Sequence, residues 1–312
     1  MRPALKGKRV YLTVSAIIAA AAVVWLVRES SVIEIRTVNV HLPYLEAKDD
    51  GFSVALVSDT HFGAWDGGRA RRIAAAVNAL DADAVLLLGD YINGNFDRRR
   101  SIGMAELTKF VSSLRSRRGV FAVTGNHEMW YGRSRVAAAL RAGGAEVITG
   151  KLRQLPLGSG GALQLVGLPD RKTERPYPFP RVPARQPLLI AMHDPGSIRK
   201  LPDEYRHGFA VAGHTHGGQM RLYPGKRGTS WRHIFSYLSI KLGLVRREDK
   251  EPVVFFDRGL TDYHGRKLYI SSGLGMARLK VRMFCRPEIA LLKLRHTPEQ
   301  ADTDFIQPLE IP

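Results

Sequence analysis

Five short apolar runs in the chain each end next to a residue of a type that binds metal ions. Each run holds four or five apolar residues bounded by glycine or polar residues, a pattern typical of strands buried on both faces of a sheet. The pattern therefore predicts five strands of an α/β sheet, at residues 54–57, 84–88, 120–123, 188–192 and 209–212.

The side chains that follow these runs form one chemical set. In open α/β sheets a site forms where the carboxyl ends of the strands meet, so we expect the set at one rim. Carboxylate, amide and imidazole groups together are ligands for divalent transition metals. The members of the set are Asp59, His61, Asp90, Asn126, His127, His193, His214 and His216.

Ordinary structural roles explain some of these residues singly. Asp59 and Asp90 could each be a helix N-cap after a strand, and Asn126 could be a turn residue. These roles do not explain why histidine is paired at positions 214 and 216. The set as a whole favours a metal site.

Cysteine is nearly absent from this chain of 312 residues. Cys285 is the single cysteine, so no disulfide can form within the chain and no zinc-finger spacing exists. The predicted ligands are therefore oxygen and imidazole rather than thiolate.

The N-terminus predicts a membrane anchor. Residues 10–27 carry no charge and as a helix would span roughly 27 Å, close to the thickness of the hydrocarbon core of a bilayer. Basic residues precede the segment, so the positive-inside rule places the N-terminus in the cytoplasm and the remaining chain on the non-cytoplasmic face. A cleaved signal peptide, cut near Ala19–Ala21, is the alternative interpretation.

The pattern along the chain divides it into segments. Helical periodicity at 68–80, 104–114 and 134–142 alternates with the predicted strands in the first half, as in βαβ units. Residues 169–187 read as a loop. The predicted divisions are a basic N-terminus at 1–9, an anchor at 10–27, a linker and leading strand at 28–51, a catalytic domain at 52–295 and an acidic, flexible tail at 296–312.

The ordered motifs Asp59-Thr-His61, Gly89-Asp90, Gly125-Asn-His-Glu128, His193 and Gly213-His-Thr-His216 resemble the calcineurin-like metallophosphoesterase superfamily. The resemblance covers roughly residues 52–295. It implies an α/β fold, a four-layer α-β-β-α sandwich, here preceded by one transmembrane helix. It also implies two divalent ions (Mn, Fe, Zn or Co) and hydrolysis of a phosphoester or pyrophosphate bond by metal-bound hydroxide.

The resemblance also assigns roles to residues. It implies that Asp90 bridges the two ions, that His127 is the proton donor and that Glu128 orients His127. The remaining residues divide between the ions, with Asp59, His61 and His216 on the first and Asn126, His193 and His214 on the second.

Longer strings resemble the bacterial membrane-anchored branch of the superfamily. These are Gly213–Gln219, Leu268–Gly275 and Arg286–Ile289. Some members of that branch cleave the pyrophosphate of UDP-2,3-diacylglucosamine in lipid A synthesis, an activity that conflicts with a non-cytoplasmic domain. The string Gly89–Asn95 lacks the Asp-Arg-Gly of the Ser/Thr protein phosphatases, which disfavours that role.

A second membrane contact is predicted at residues 230–243. Trp231, Phe235 and Leu238 fall on one apolar helical stripe flanked by basic residues, as in helices that lie in a bilayer interface. Packing of the stripe on the domain is the alternative. The predicted partners are therefore a lipid bilayer and a phosphorylated, lipid-linked or otherwise amphiphilic anionic substrate.

The net charge of +18 attracts polyanions in general. The charge by itself suggests a nucleic-acid-binding protein. No nucleic-acid recognition motif is present, however, so no specific nucleic acid is expected. A non-catalytic metal-binding membrane module is a further alternative. The presence of His127 and Glu128 speaks against it, because metal storage needs no proton donor.

Overall fold

Two mixed β-sheets pack face to face and carry the predicted site at one edge. The computed structural model describes residues 3–63, 67–93, 103–170, 179–222, 242, 257–276, 281–297 and 309–311. Within these ranges the α-helices are α1 (Pro3–Ser31), α2 (Gly67–Ala79), α3 (Met104–Ser112), α4 (Asn126–Tyr131) and α5 (Arg133–Ala142).

The first sheet has seven strands among the described residues. In chain order they are β1 (Ile33–Leu42), β2 (Ser53–Val57), β3 (Ala84–Leu87), β4 (Val120–Ala122), β5 (Ala145–Val147), β12 (Glu288–His296) and β13 (Leu309–Ile311). Their order across the sheet is β13-β1-β12-β2-β3-β4-β5, and β2 to β5 are mutually parallel. The four parallel strands therefore end at the same edge.

The second sheet has six strands among the described residues. They are β6 (Lys151–Pro156), β7 (Ala162–Gly167), β8 (Leu188–Ala191), β9 (Phe209–Ala212), β10 (Gly259–Tyr263) and β11 (Arg266–Ile270). Their order is β10-β11-β9-β8-β7-β6, with β7, β8, β9 and β11 parallel. The five runs identified in the sequence thus form β2, β3, β4, β8 and β9.

The apolar runs are buried on both faces, as their composition predicts. In β2, Val54 and Leu56 point into the core between the sheets, whereas Ala55 and Val57 point to the outer face of the first sheet. That outer face is covered by the apolar stripes of α2, α3 and α5, for example Ile73 of α2. The helical periodicity in the first half of the chain is confirmed, with boundaries shifted by one or two residues.

Among the described residues, short 3-10 helices at Pro195–Lys200 and Asp203–Tyr205 cover the outer face of the second sheet, with Ile198 and Tyr205 in its core. Proline at positions 195 and 202 favours such short segments, because proline cannot donate to an α-helical ladder. The α-helical layer that the resemblance implies on this face stays a prediction, because residues 223–241 and 243–256 lie outside the described residues.

One local feature differs from the sequence pattern. Residues 309–311, inside the segment expected to be a flexible tail, form β13 and pair antiparallel with the start of β1. The amphipathic helix expected at 230–243 lies outside the described residues, apart from an exposed Leu242.

The N-terminal helix α1 contains a segment long and apolar enough to cross a membrane. The segment is Val10–Ser31, with a mean hydropathy of 2.4 over its best window. From Val10 onward most of its apolar side chains are exposed around the helix, whereas Glu29 and Ser30 in its last turn are buried against the described part of the chain. The structure thus supports a candidate span that begins at the predicted position and ends four residues later.

Candidate metal centre

All of the predicted ligands lie at the carboxyl ends of parallel strands. Asp59 and His61 follow β2, Asp90 follows β3, and Asn126 begins α4 directly after β4. His193 follows β8, and His214 and His216 follow β9, so both sheets contribute. Except for the partly buried His214, their side chains are buried.

The first cluster consists of Asp59, His61 and His216. His61 Nε2 lies 3.0 Å from His216 Nε2 and 3.9 Å from Asp59 Oδ1, and His216 Nε2 lies 3.6 Å from the same oxygen. Donor atoms that share one ion at about 2.1 Å are about 3.0–3.4 Å apart. The cluster therefore needs only small adjustments to hold an ion.

The second cluster consists of Asn126, His193 and His214. His193 Nε2 lies 3.2 Å from Asn126 Oδ1 and 3.1 Å from His214 Nδ1. Both distances match the spacing of ligands that share one ion. Two imidazoles and an amide oxygen bring no carboxylate charge to this half of the site.

Asp90 lies between the two clusters. Its Oδ2 atom is 3.6 Å from His61 Nε2 of the first cluster and 3.2 Å from His193 Nε2 of the second. The other oxygen, Oδ1, accepts the backbone N–H of His127 at 2.9 Å, which fixes the carboxylate plane. One buried carboxylate oxygen is therefore within reach of both clusters.

The backbone conformation of these residues is strained. Asp59, His61, Asp90, His214 and His216 all have φ between 41° and 69°, in the left-handed region that residues other than glycine rarely adopt. Such strain costs of order 1–3 kcal/mol per residue and persists where the surroundings enforce it, commonly at functional sites. The backbone conformation at the strand ends therefore lowers the stability of the fold, but it directs the side chains into the site.

Backbone carbonyls fix the ring orientation of two histidines. His193 Nδ1 lies 2.8 Å from Leu88 O, so it carries the proton and leaves Nε2 free to bind a metal. His216 Nδ1 has a longer contact of 3.4 Å with Gly275 O. In both residues the free Nε2 atom is the one that points into its cluster.

The site concentrates buried charge. Burial raises the pKa of Asp59 to about 6 despite the neighbouring His193. Burial also opposes ionisation of Asp90, but His193 and the other nearby imidazoles hold its pKa well below the usual range. Burial, with the charges of His61 and Arg282, lowers the pKa of His216, which keeps it in the neutral form that metals bind.

Glu128 holds the backbone of the site. Its carboxylate accepts the N–H groups of Gly125 at 2.7 Å and of Asp90 and Tyr91 at 2.9 Å each, and the side chain is fully buried. Burial and the charge of Asp90 raise its pKa to about 7. Glu128 thus ties the loop after β3 to the start of α4, so it acts on His127 through the backbone.

His127 lies at the edge of the donor atoms. Its Nε2 is 3.8 Å from Asp90 Oδ2, and its ring packs edge-on against His61 with centroids 4.4 Å apart. The neighbouring Trp130 ring lies 4.8 Å from it. His127 belongs to one possible three-residue donor group with His61 and Asp90, but both clusters are complete without it.

Several residues outside the predicted ligand set support the site. Ser58 donates its hydroxyl to Asp59 Oδ2 at 2.5 Å. The loop after β11 packs on the same residues, since Leu274 N donates to Ser58 O and Gly275 N to Asp59 O. The motif string at 268–275 was the available signal, but nothing in it indicated this contact.

Two glycines allow the close packing of these loops. A Cβ atom at Gly125 would overlap Asp90 Oδ1 and lie 2.8 Å from the His193 ring, and one at Gly213 would overlap Ser58 and Asp59. The donor set, its spacing and its buried carboxylates together fit divalent transition-metal ions.

The fold and this donor set agree with the sequence comparison. The model of the calcineurin-like phosphoesterase family matches residues 52–218, which contain both clusters and Asp90. The chain belongs to this family. Members of this family are phosphoester hydrolases, and divalent metals are their cofactors.

Curated relatives carry compatible names. The chain is 25% identical over 261 residues to a metallophosphoesterase of Helicobacter pylori, an alignment that covers 80% of this chain and 62% of the relative. It is 28% identical over 215 residues to phosphodiesterase YaeI of Escherichia coli, covering 68% and 70%. It is 26% identical over 225 residues to a transmembrane protein with a metallophosphoesterase domain from Danio rerio, covering 65% and 49%.

Proposed function

We propose that the chain is a membrane-anchored phosphohydrolase that uses two divalent ions, drawn from Mn, Fe, Zn or Co. The first cluster would hold one ion, the second cluster would hold the other, and Asp90 would bridge them. The observation that carries the proposal is the position of Asp90 Oδ2, 3.6 Å from His61 Nε2 and 3.2 Å from His193 Nε2.

The chain's own residues complete the chemistry. When bound, two divalent ions supply a nucleophile from water near neutral pH and neutralise the phosphoryl oxygens. His127 lies beside the donor atoms with its side chain 11% exposed, and would protonate the leaving oxygen. The hydrogen bond from its backbone N–H to Asp90 Oδ1 fixes the position of the proton donor relative to the bridging carboxylate.

An apolar lip beside His127 supports an amphiphilic substrate. Met129 and Trp130 are 46% and 56% exposed, although both are apolar and follow directly after the site residues in α4. Large exposed apolar groups next to a polar site are typical of ligand-binding grooves. The excess of positive charge also favours an anionic substrate or membrane surface.

The helix α1 supports membrane anchoring. Its apolar side chains face outward on all sides over most of Val10–Ser31, and a helix of this kind is stable when lipid surrounds it. Basic residues near the N-terminus favour a catalytic domain on the non-cytoplasmic face. These features agree with the membrane-anchored branch that the motif strings resemble.

The test is turnover by the full-length chain in detergent with Mn²⁺ added. We expect hydrolysis of a chromogenic phosphodiester, and a higher kcat/KM for an acylated phosphoester than for its water-soluble analogue. Metal binding without turnover of any phosphoester would favour the non-catalytic membrane module instead. Equal kcat/KM for the acylated and soluble esters would contradict the amphiphilic substrate alone.

A further inference from the structure

The last two turns of α1 dock on one short segment of the domain. The Trp25 ring lies 4.9 Å from the Phe284 ring, Glu29 Oε2 lies 2.9 Å from Arg286 Nε, and Ser30 Oγ accepts the backbone N–H of Arg282 at 2.7 Å. Glu29 and Ser30 are buried, in contrast to the exposed helix before them. All three contacts fall on residues 282–286.

Arg282 is the centre of that segment. Its side chain is fully buried, and among the described residues its guanidinium group donates to backbone carbonyl oxygens and to Cys285 Sγ. The planar group presents five N–H donors in a fixed geometry, so it can form hydrogen bonds with several backbone segments at once. The accepting carbonyls belong to His216, Ser272, Gly273, Gly275, Cys285 and Arg286.

These carbonyls belong to the backbone that supports the first cluster. Arg282 Nη1 lies 3.5 Å from the carbonyl oxygen of His216, itself a member of the cluster. Gly275, which accepts from Arg282 Nε at 3.1 Å, donates its own N–H to Asp59 O and contacts His216 Nδ1 through its carbonyl. Only two hydrogen bonds therefore separate Ser30 from the backbone of a first-cluster residue.

The second cluster has different support. The His193 ring is held by Leu88 O, and Asn126 begins the helix whose first turn Glu128 fastens. The contacts that Arg282 makes with the described residues fall on the side of His216. A substitution of Arg282 is therefore expected to weaken binding at the first cluster more than at the second.

We propose that the last two turns of α1 and residues 282–286 form a brace that positions the first cluster, with Arg282 as its central positioning residue. The membrane anchor is then a structural part of the metal centre as well as a tether. It follows that the site stays close to the end of the candidate span. The proposal rests on the two-ion site of the proposed function. It adds that the brace determines how tightly the first cluster binds its ion.

A matched pair of variants isolates the brace. Ser30→Ala removes a hydroxyl that bonds both Leu26 O in its own helix and the N–H of Arg282. Ser31→Ala removes a hydroxyl that bonds Val27 O in the same way but is exposed. The two substitutions therefore cost α1 the same internal hydrogen bond, and only Ser30→Ala breaks the contact with the domain.

A second variant acts on Arg282 directly. Lysine offers three donors on one nitrogen, so Arg282→Lys keeps the charge and loses most of the carbonyl contacts. His61→Ala serves as the reference for loss of the first ion, since His61 belongs to the first cluster alone.

The measurement is Mn²⁺ titration of each full-length variant in detergent, followed by electron paramagnetic resonance of the spin-coupled pair. We expect Ser30→Ala and Arg282→Lys to weaken one of two Mn²⁺ ions about 10–100-fold, the range for residues that orient ligands. Ser31→Ala is expected to match the unmodified chain. The remaining signal of Arg282→Lys is expected to match that of His61→Ala.

The proposal is overturned if Ser30→Ala binds both ions as tightly as Ser31→Ala does, or if both ions weaken equally. Should Arg282→Lys fail to fold, the serine pair decides the question alone. An unmodified chain that binds no Mn²⁺ pair contradicts the proposed function itself. That result is distinguishable from a difference between variants.

Discussion

The first and second clusters draw their support from different parts of the chain. The first is packed by the loop after β11 and by Arg282, which lies 252 residues from its partner Ser30 in α1. The second is held by contacts within the domain, around the start of α4 and at the end of β3. The difference indicates that the two halves of one site can be weakened separately, and that Asp90 is the point where they join.

The largest effect is expected from Asp90→Asn, which removes the negative charge shared by both clusters. We expect kcat/KM to fall by more than about 100-fold, beyond the range for residues that only orient ligands. Bound metal should fall to one ion or fewer, measured by elemental analysis. The control is Asp83→Asn, because Asp83 precedes the same strand and pairs with Ser53 and Arg117 away from the site. If Asp90→Asn were as active as Asp83→Asn, Asp90 would not join the two clusters, and the comparison between them would fail.

His127→Gln is expected to separate chemistry from metal binding. Both ions should remain, because each cluster is complete without His127, while kcat falls about 10²–10⁴-fold through loss of the proton donor. The loss should be larger for an alkyl leaving group than for nitrophenolate, which needs no proton. If His127→Gln instead loses a metal ion, His127 is a ligand and the assignment of the first cluster changes.

Glu128→Gln tests the support of the second cluster. The amide of glutamine places an N–H₂ group where Glu128 accepts the N–H of Gly125, so the start of α4, which bears Asn126, should shift. We expect roughly 10–100-fold weaker binding of the second ion, measured by Mn²⁺ titration. Glu106→Gln, on the exposed face of α3, is the control. Weakening of the first ion alone would reverse the division of support described above.

The smallest effect is expected from Trp130→Ala at the apolar lip. A loss of about 1 kcal/mol of apolar contact would raise KM for an acylated phosphoester roughly fivefold. The same variant should hydrolyse a soluble chromogenic ester with unchanged KM, which serves as the internal control. A rise in KM for both substrates would show that Trp130 acts on the site through the ring of His127.

Local patterns predicted much of this molecule. The five strands that carry the ligands and the three helices over the first sheet follow from apolar periodicity, because each element buries its own stripe. The ligand set follows from the residue types at the strand ends. The structure brings Asp59, Asp90 and His216 and the other predicted ligands together, as the shared rim predicts.

The supports of the site could not be predicted in the same way. Arginine side chains are mostly exposed, and nothing in the sequence marks Arg282 as an exception, yet it is fully buried among carbonyl oxygens. The role of Glu128 depends on backbone N–H groups up to 38 residues away, and the pairing of β13 with β1 joins opposite ends of the chain. Local sequence patterns do not encode such distant contacts, because they depend on tertiary packing.

The most direct test of the central claim is a crystal of the full-length chain soaked with Mn²⁺, with anomalous difference maps calculated around the strand ends. We expect two peaks about 3.5–4 Å apart, one beside His61 and one beside His193, with the carboxylate of Asp90 in contact with both. A single peak, or two peaks of which one does not contact Asp90, would contradict the account.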